Sequence, residues 1–244
     1  MLEVKSVVKR FGGITVLHGL SLAVQPGTVT CIIGPNGCGK TTLFNIITGN
    51  LRPEEGQVFL NGTEVTGMPA YLVARRGISR KFQIPGVYPE LSVVENLMIP
   101  LAGKGGKAGV MSTLFSSPTE RLAELLDLCG LTDKATDNVE TLAHGEKQWL
   151  EMAMLLAYDA DLIMLDEPTA GMSVPETQKT AELVRRLQTE YGKTVLVIEH
   201  DMSFVRTLDC RLVVMLRGRI VREGSLDDIQ NDPEVVAAYL GGSA

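Results

Sequence analysis

Gly34, Gly39, Lys40 and Thr41 stand at the spacing G-x-x-x-x-G-K-T inside the run GPNGCGKTTL. Glycines let such a loop take backbone angles closed to other residues and let a phosphate approach the main chain closely. Successive N–H groups, ending at a helix N-terminus, then cradle an anion. Lys40 is placed to reach the terminal phosphates of a nucleotide, and the Thr41 hydroxyl to ligate Mg²⁺. The bland alternative is a glycine-rich turn with a chance lysine. It does not require the flanks found here, a β-branched run (VTCII) before the loop and Leu43, Phe44, Ile46 and Ile47 after it. The spacing predicts that a nucleoside triphosphate is held by Gly34, Pro35, Asn36, Gly37, Cys38, Gly39, Lys40, Thr41 and Thr42.

Two further stretches end in charge. LIML runs into Asp166-Glu167, and TVLVI runs into Glu199-His200-Asp201. In open α/β sheets ligands bind at the carboxyl ends of strands, where a phosphate loop also lies. Acids at strand ends are common, but beside a phosphate loop their roles become specific. Asp166 is expected to hold Mg²⁺ through water, and Glu167 to orient or deprotonate the attacking water. His200 is expected to hydrogen-bond the γ-phosphate, against the alternative of a solvated surface histidine.

These residues need strands and helices to carry them. Short strands are predicted over 2–8, 14–24, 28–33 and 57–60, with Asn61-Gly62 as a hairpin turn. From about residue 68 to 158 strand signals fade, and 102–117 reads as a Gly/Lys/Ser-rich loop. A helix follows, capped by Ser117, with Pro118 in its first turn and Leu122, Leu125, Leu126 and Cys129 as one apolar stripe. The runs 162–165 and 194–198 are continuous apolar strands of the kind buried in a parallel sheet. A helix over 175–191 joins them, with Leu183, Val184 and Leu187 inward. A strand pair turns at Arg217-Gly218, and Asp232-Pro233 opens a last helix to Gly241.

Composition excludes several classes. The chain has 244 residues, a net charge of −6 and ordinary charged and apolar fractions. The acidic balance argues against a nucleic-acid footprint. No window is long and apolar enough to cross a membrane, and MLEVKSVVKRF lacks the core of a signal peptide, so a cytoplasmic chain is expected. Four cysteines show no C-x-x-C pairing; neither a zinc site nor a disulfide framework is expected. Cys31 and Cys129 read as core. Cys38 reads as a small filler, its alternative being an alkylation target shielded by ATP. The three histidines lie too far apart in sequence to suggest a metal site.

Four segments together, GPNGCGKTT, LAHGEKQWLEMAMLLA, LIMLDEP and VIEHD, resemble the nucleotide-binding subunit of an ABC transporter, and the resemblance runs over essentially the whole chain. It implies one domain over 1–244. An α/β P-loop NTPase (ABC ATPase) core with an N-terminal antiparallel β subdomain would occupy about 1–83 and 159–244. An inserted helical subdomain over 84–158 would carry the signature segment Leu142, Ala143, His144, Gly145 and Glu146. The resemblance implies ATP and Mg²⁺ as ligands and a head-to-tail pair of subunits, each signature facing the γ-phosphate held by the other. Phe11 matches the aromatic that stacks on adenine. Gln83 matches the glutamine that joins core to helical subdomain and senses Mg²⁺ and water. Two positions depart from the pattern: Ala143 stands where serine is usual, and Gly171-Met172-Ser173 replaces the usual S-A-L-D loop.

The segments HGEKQWLE, LDEPTAGM, ETQKTAEL, EHDMSFV and EGSLDDIQNDPEVVAAYLG are most similar to the ATP-binding subunit of bacterial urea importers, within the branched-chain amino-acid importer class. That likeness implies two membrane permeases, a second and non-identical ATPase subunit, a solute-binding protein and a place on the inner face of the cell membrane. The solute expected is urea, the alternative a branched-chain or other amino acid. A soluble ABC ATPase working on DNA or ribosomes is the distant alternative, opposed by the single module, the absence of a heptad run and the acidic balance. An added regulatory domain is not expected, since only about forty residues follow His200.

Overall fold

The computed structural model describes residues 1–81, 86–103, 118–233 and 235. Gln83, Ser117, most of the loop at 102–117 and the end of the last helix lie outside them.

Two sheets organise the chain. The first is antiparallel, formed by β1 (Leu2–Phe11), β2 (Ile14–Val24), β4 (Glu55–Leu60) and β5 (Thr63–Glu64) in the order β2-β1-β4-β5. Between β4 and β5, Asn61 and Gly62 both have positive φ, 48° and 76°, as a two-residue type I′ turn requires. The second sheet has the order β10-β9-β3-β8-β7-β6. Its members are β3 (Val29–Ile33), β6 (Ile78–Lys81), β7 (Leu162–Asp166), β8 (Thr194–Ile198), β9 (Arg211–Leu216) and β10 (Arg219–Gly224). All its pairings are parallel except β9 with β10, which turns at Arg217-Gly218.

The central strands are mostly apolar because both faces are covered, with Thr30, Asp166 and Thr194 as their buried polar members. Ile32, Met164, Leu196, Ile198 and Val213 face a core shared with the antiparallel sheet and α1 (Lys40–Ile47). Their neighbours Cys31, Ile33, Ile163, Leu165, Val195, Val197 and Val214 face a second core under helices. This is the period-two alternation of a strand. The helices are α3 (Val93–Gly103), α4 (Pro118–Cys129), α5 (His144–Ala157), α6 (Val174–Thr189) and α7 (Met202–Leu208). The short helix α2 (Ala70–Ala74) buries Val73 in the first core, and α8 (Leu226–Gln230) joins the second through Ile229. In α4, Leu125, Leu126 and Cys129 are buried, as is Cys31 in β3. In α6, Leu183, Val184 and Leu187 point inward as expected.

Strand β6 falls where strand signals fade. Its sequence, ISRK, carries two charges, yet Lys81 is fully buried and Arg80 nearly so. Each meets an acid contributed by another element: Arg80 meets Asp166 at 2.8 Å and Lys81 meets Glu151 at 3.8 Å. Burial lowers the Lys81 pKa, with the Glu151 carboxylate opposing it. No helix among the described residues is long and apolar enough to cross a membrane.

Candidate active site

Strand β8 lies between β3 and β7, pairing Ile32 with Ile198 and Ile198 with Asp166. The register brings three carboxyl ends side by side. They carry the glycine loop, Asp166-Glu167 and Glu199-His200.

After β3 the chain passes through 34–39 and enters α1 at Lys40. Gly34 lies so close to β9 that a Cβ there would meet the Met215 carbonyl oxygen at 2.2 Å. The loop is also held from outside, since the Gly218 N–H donates to the Cys38 carbonyl at 2.9 Å. The N-cap, Gly39, has no side chain to offer, and the first turn of α1 holds no acid. Its leading N–H groups therefore remain available to an anion. Lys40 is 6% exposed and donates from Nζ to the carbonyls of Gly34 at 2.6 Å and Pro35 at 3.1 Å, folded back over the loop. Pro35, Asn36, Gly37 and Thr41 are exposed and Thr42 half-buried. Cys38 is buried; desolvation pushes its thiol pKa up, with the Lys40 charge acting against this. The scarcity of thiolate fits a filler.

Phe11, 46% exposed, ends β1 at the tip of the β1–β2 hairpin. Leu17, further along the same hairpin, packs against Gly39, so the exposed ring stands on an element that touches the phosphate loop.

Asp166 is 2% exposed. Its Oδ2 accepts from Arg80 Nη2 at 2.8 Å, and Arg80 Nη1 donates to Asn45 Oδ1 at 2.6 Å, linking β7, β6 and α1. Its Oδ1 accepts no hydrogen bond among the described residues. A buried acceptor with spare capacity suits a hydrated cation, and Mg²⁺ is commonly held by one or two carboxylates together with substrate phosphates. No group of three or more His, Cys, Asp or Glu side chains able to hold a metal occurs among the described residues.

Glu167 has φ +47°, a left-handed conformation uncommon outside glycine and costly to hold. Its N–H donates to the Ile198 carbonyl at 2.9 Å. Its Oε1 lies 3.8 Å from Nδ1 of His200, whose side chain is 59% exposed. The two groups expected to face a γ-phosphate are neighbours. Gln83 follows β6 by two residues and lies outside the described part.

The signature segment sits elsewhere. Ala143 is the exposed N-cap of α5 and accepts no side-chain bond of its own making. Glu146 supplies half of a capping box, Oε2 accepting from the Ala143 N–H at 3.0 Å, while Lys134 meets Oε1 at 2.7 Å. Burial raises the Glu146 pKa, but the bonds from Lys134 and Ala143 prevail and lower it overall. His144 Nε2 lies 3.2 Å from the Ala170 carbonyl, so the signature leans on the loop after Glu167. Leu142 and Gly145 are buried. Among the described residues no hydrogen bond or ion pair joins 142–146 to 34–42 of the same chain.

Sequence reasoning missed Arg80, Asn45 and Thr169. The first two would have required knowing that β6 borders β7. Glu199 was visible in the EHD run, but nothing in a linear reading says that it is buried.

Fold and site together define a nucleotide-binding protein of the P-loop kind. A family model described as ABC transporter matches residues 17–170, and one described as branched-chain amino acid ATP-binding cassette transporter matches 223–244. The high-affinity branched-chain amino acid transport ATP-binding protein BraF of Pseudomonas aeruginosa is 36% identical, over 99% of this chain and 98% of its own length. LivG of Escherichia coli, described in the same words, is 34% identical over the same shares. The solved ADP conformation of MJ1267, an ATP-binding cassette of an ABC transporter, superposes with a TM-score of 0.84 at 31% identity, covering 99% of this chain and 98% of that one. A dimeric cassette, MJ0796 bound to ADP and Pi, gives 0.76 at 28% identity, covering 93% and 99%. The chain belongs to the ABC transporter family and is an ATP-hydrolysing cassette.

Proposed function

We propose that this chain powers an importer and that the imported solute is a branched-chain amino acid. The ATPase chemistry rests on one observation above others: β3, β7 and β8 end side by side, each delivering a group that phosphate hydrolysis needs. Lys40 and the amides of 34–42 bind the β- and γ-phosphates, and Phe11 stacks on adenine. Glu167 takes a proton from the attacking water as the bond from γ-phosphorus to ADP breaks. His200 donates to the γ-phosphate. Mg²⁺ would be held by Asp166, through water, and by Thr41, and would supply charge neutralisation of the phosphates; the resemblance adds Gln83 as the residue that senses it.

The solute reading comes from the relatives. BraF and LivG carry branched-chain amino acid in their descriptions and match nearly end to end, and the last 22 residues match a family model of the same description. Neither urea nor a urea transporter is named among these relatives, so the amino acid replaces urea as the better supported solute. The chain would work with two membrane permeases, peripherally on the inner face of the membrane, fed by a solute-binding protein. A second ATPase subunit, read as non-identical, would complete each site; the dimeric MJ0796 cassette supports the pairing.

The test is to purify the chain with its permeases, reconstitute them with the solute-binding protein in vesicles, and follow labelled leucine beside labelled urea. ATP-dependent leucine uptake is expected. Urea uptake without leucine uptake would overturn the solute reading and leave the ATPase reading standing.

A further inference from the structure

Glu199 is 1% exposed, yet its carboxylate accepts from two donors at each oxygen. Oε1 takes the Thr169 N–H at 3.0 Å and, in a short contact, the Thr169 hydroxyl. Oε2 takes the N–H of His200 at 2.8 Å and of Asp201 at 3.2 Å. A carboxylate has about four lone-pair sites, so its capacity is filled.

The donors come from two loops. Thr169 belongs to the turn after β7, closed by the Ala170 N–H donating to the Glu167 carbonyl at 3.2 Å. His200 and Asp201 open the loop after β8. Between the loops lie the groups that matter for hydrolysis, His200 Nδ1 being 3.8 Å from Glu167 Oε1 and 3.8 Å from Glu199 Oε2. Glu167 holds its left-handed backbone only because its surroundings over-determine it. The Ile198 carbonyl restrains one end of its turn and Glu199 the other.

We propose that Glu199 is a positioning residue for ATP hydrolysis. Its buried carboxylate clasps the turn carrying Glu167 to the loop carrying His200 and so sets the spacing of the two groups. The inference rests on the roles proposed above for Glu167 and His200.

Glu199→Gln preserves volume but turns an amide nitrogen toward donors on one side of the clasp. At a protein concentration where specific activity no longer rises, kcat should fall about ten- to a hundredfold, the scale set by displacements near 1 Å in catalytic geometry. The ATP Kd from calorimetry should stay within about twofold, because the phosphate loop is untouched. Thr169→Val removes only the hydroxyl and should lower kcat about three- to tenfold by the same reasoning; Thr169→Ser should restore it. If Glu199→Gln does not fold, the Thr169 pair decides alone. Wild-type kcat per folded molecule in these variants, whatever their melting temperatures, overturns the proposal. So does a weakened Kd at unchanged kcat. Glu167→Gln run in parallel keeps the two questions apart: turnover retained there refutes the role of Glu167, whereas turnover lost there and kept in Glu199→Gln refutes only the clasp.

Discussion

Residues 34–42 and 142–146 each deliver a helix N-terminus, yet the two are built differently. The first leads into α1 through a buried glycine N-cap, with no acid in the first turn and a lysine folded over the loop. The second leads into α5 through an exposed alanine, and its first free N–H is already taken by Glu146, itself neutralised by Lys134. Helix N-termini attract anions, but a carboxylate in place competes for that attraction. The contrast fits the proposed reading, in which each region is one half of a nucleotide site. On that reading the phosphate loop holds a multiply charged ligand with the chain's own groups, whereas the signature segment would offer a weaker contact to the partner's ligand.

The largest effect should come from Glu167→Gln, which leaves both regions intact and removes the proton acceptor. Turnover should drop ~10²–10⁴-fold with ATP binding preserved; hydrolysis within about threefold of wild type would remove Glu167 from the role of base. Next, Lys40→Ala should weaken ATP binding roughly ten- to a hundredfold, since a hydrogen bond to a charged group contributes about 1.5–3 kcal/mol. Unchanged affinity by calorimetry would mean that 34–42 is no more self-sufficient than 142–146.

Ala143→Ser sharpens the other side. In the assembled pair it should tighten ATP about tenfold at the partner's site, at the low end of the same range, and leave the site of this chain's own Lys40 unchanged. Each site is measured with the other blocked by its lysine variant, and a gain at neither site would show that alanine is tolerated. The smallest effect is expected at Cys38. Its raised pKa leaves it as thiol at neutral pH, so maleimide should label it slowly there and faster as pH rises toward that pKa. Rapid labelling at neutral pH, abolished by ATP, would turn the filler into a reporter of occupancy.

How much of this was legible depended on whether a residue's partner lay nearby in sequence. The loop of 34–42, the strand ends at Asp166 and His200 and the apolar stripe of α4 are local patterns, and the structure carries each of them. Strand β6 was not legible because two of its four residues, Arg80 and Lys81, are charged, and only the fold brings Asp166 and Glu151 against them. The clasp at Glu199 likewise depends on Thr169, thirty residues away. The solute was read from shared segments of an ATPase, and no residue of such a subunit need touch the solute. Resemblance there favoured urea, and the relatives point to branched-chain amino acids instead.

The contact between the glycine loop and the β9–β10 turn has a consequence for how the chain is made. The Cys38 carbonyl waits for the Gly218 N–H, about 180 residues later. At ~5–20 residues per second on the ribosome, the phosphate loop emerges roughly 9–36 s before the turn against which it rests. Its glycines and lysine spend that interval without their mould. The nascent chain thus gains a finished ATP cradle only once Gly218 has been made and folded against it.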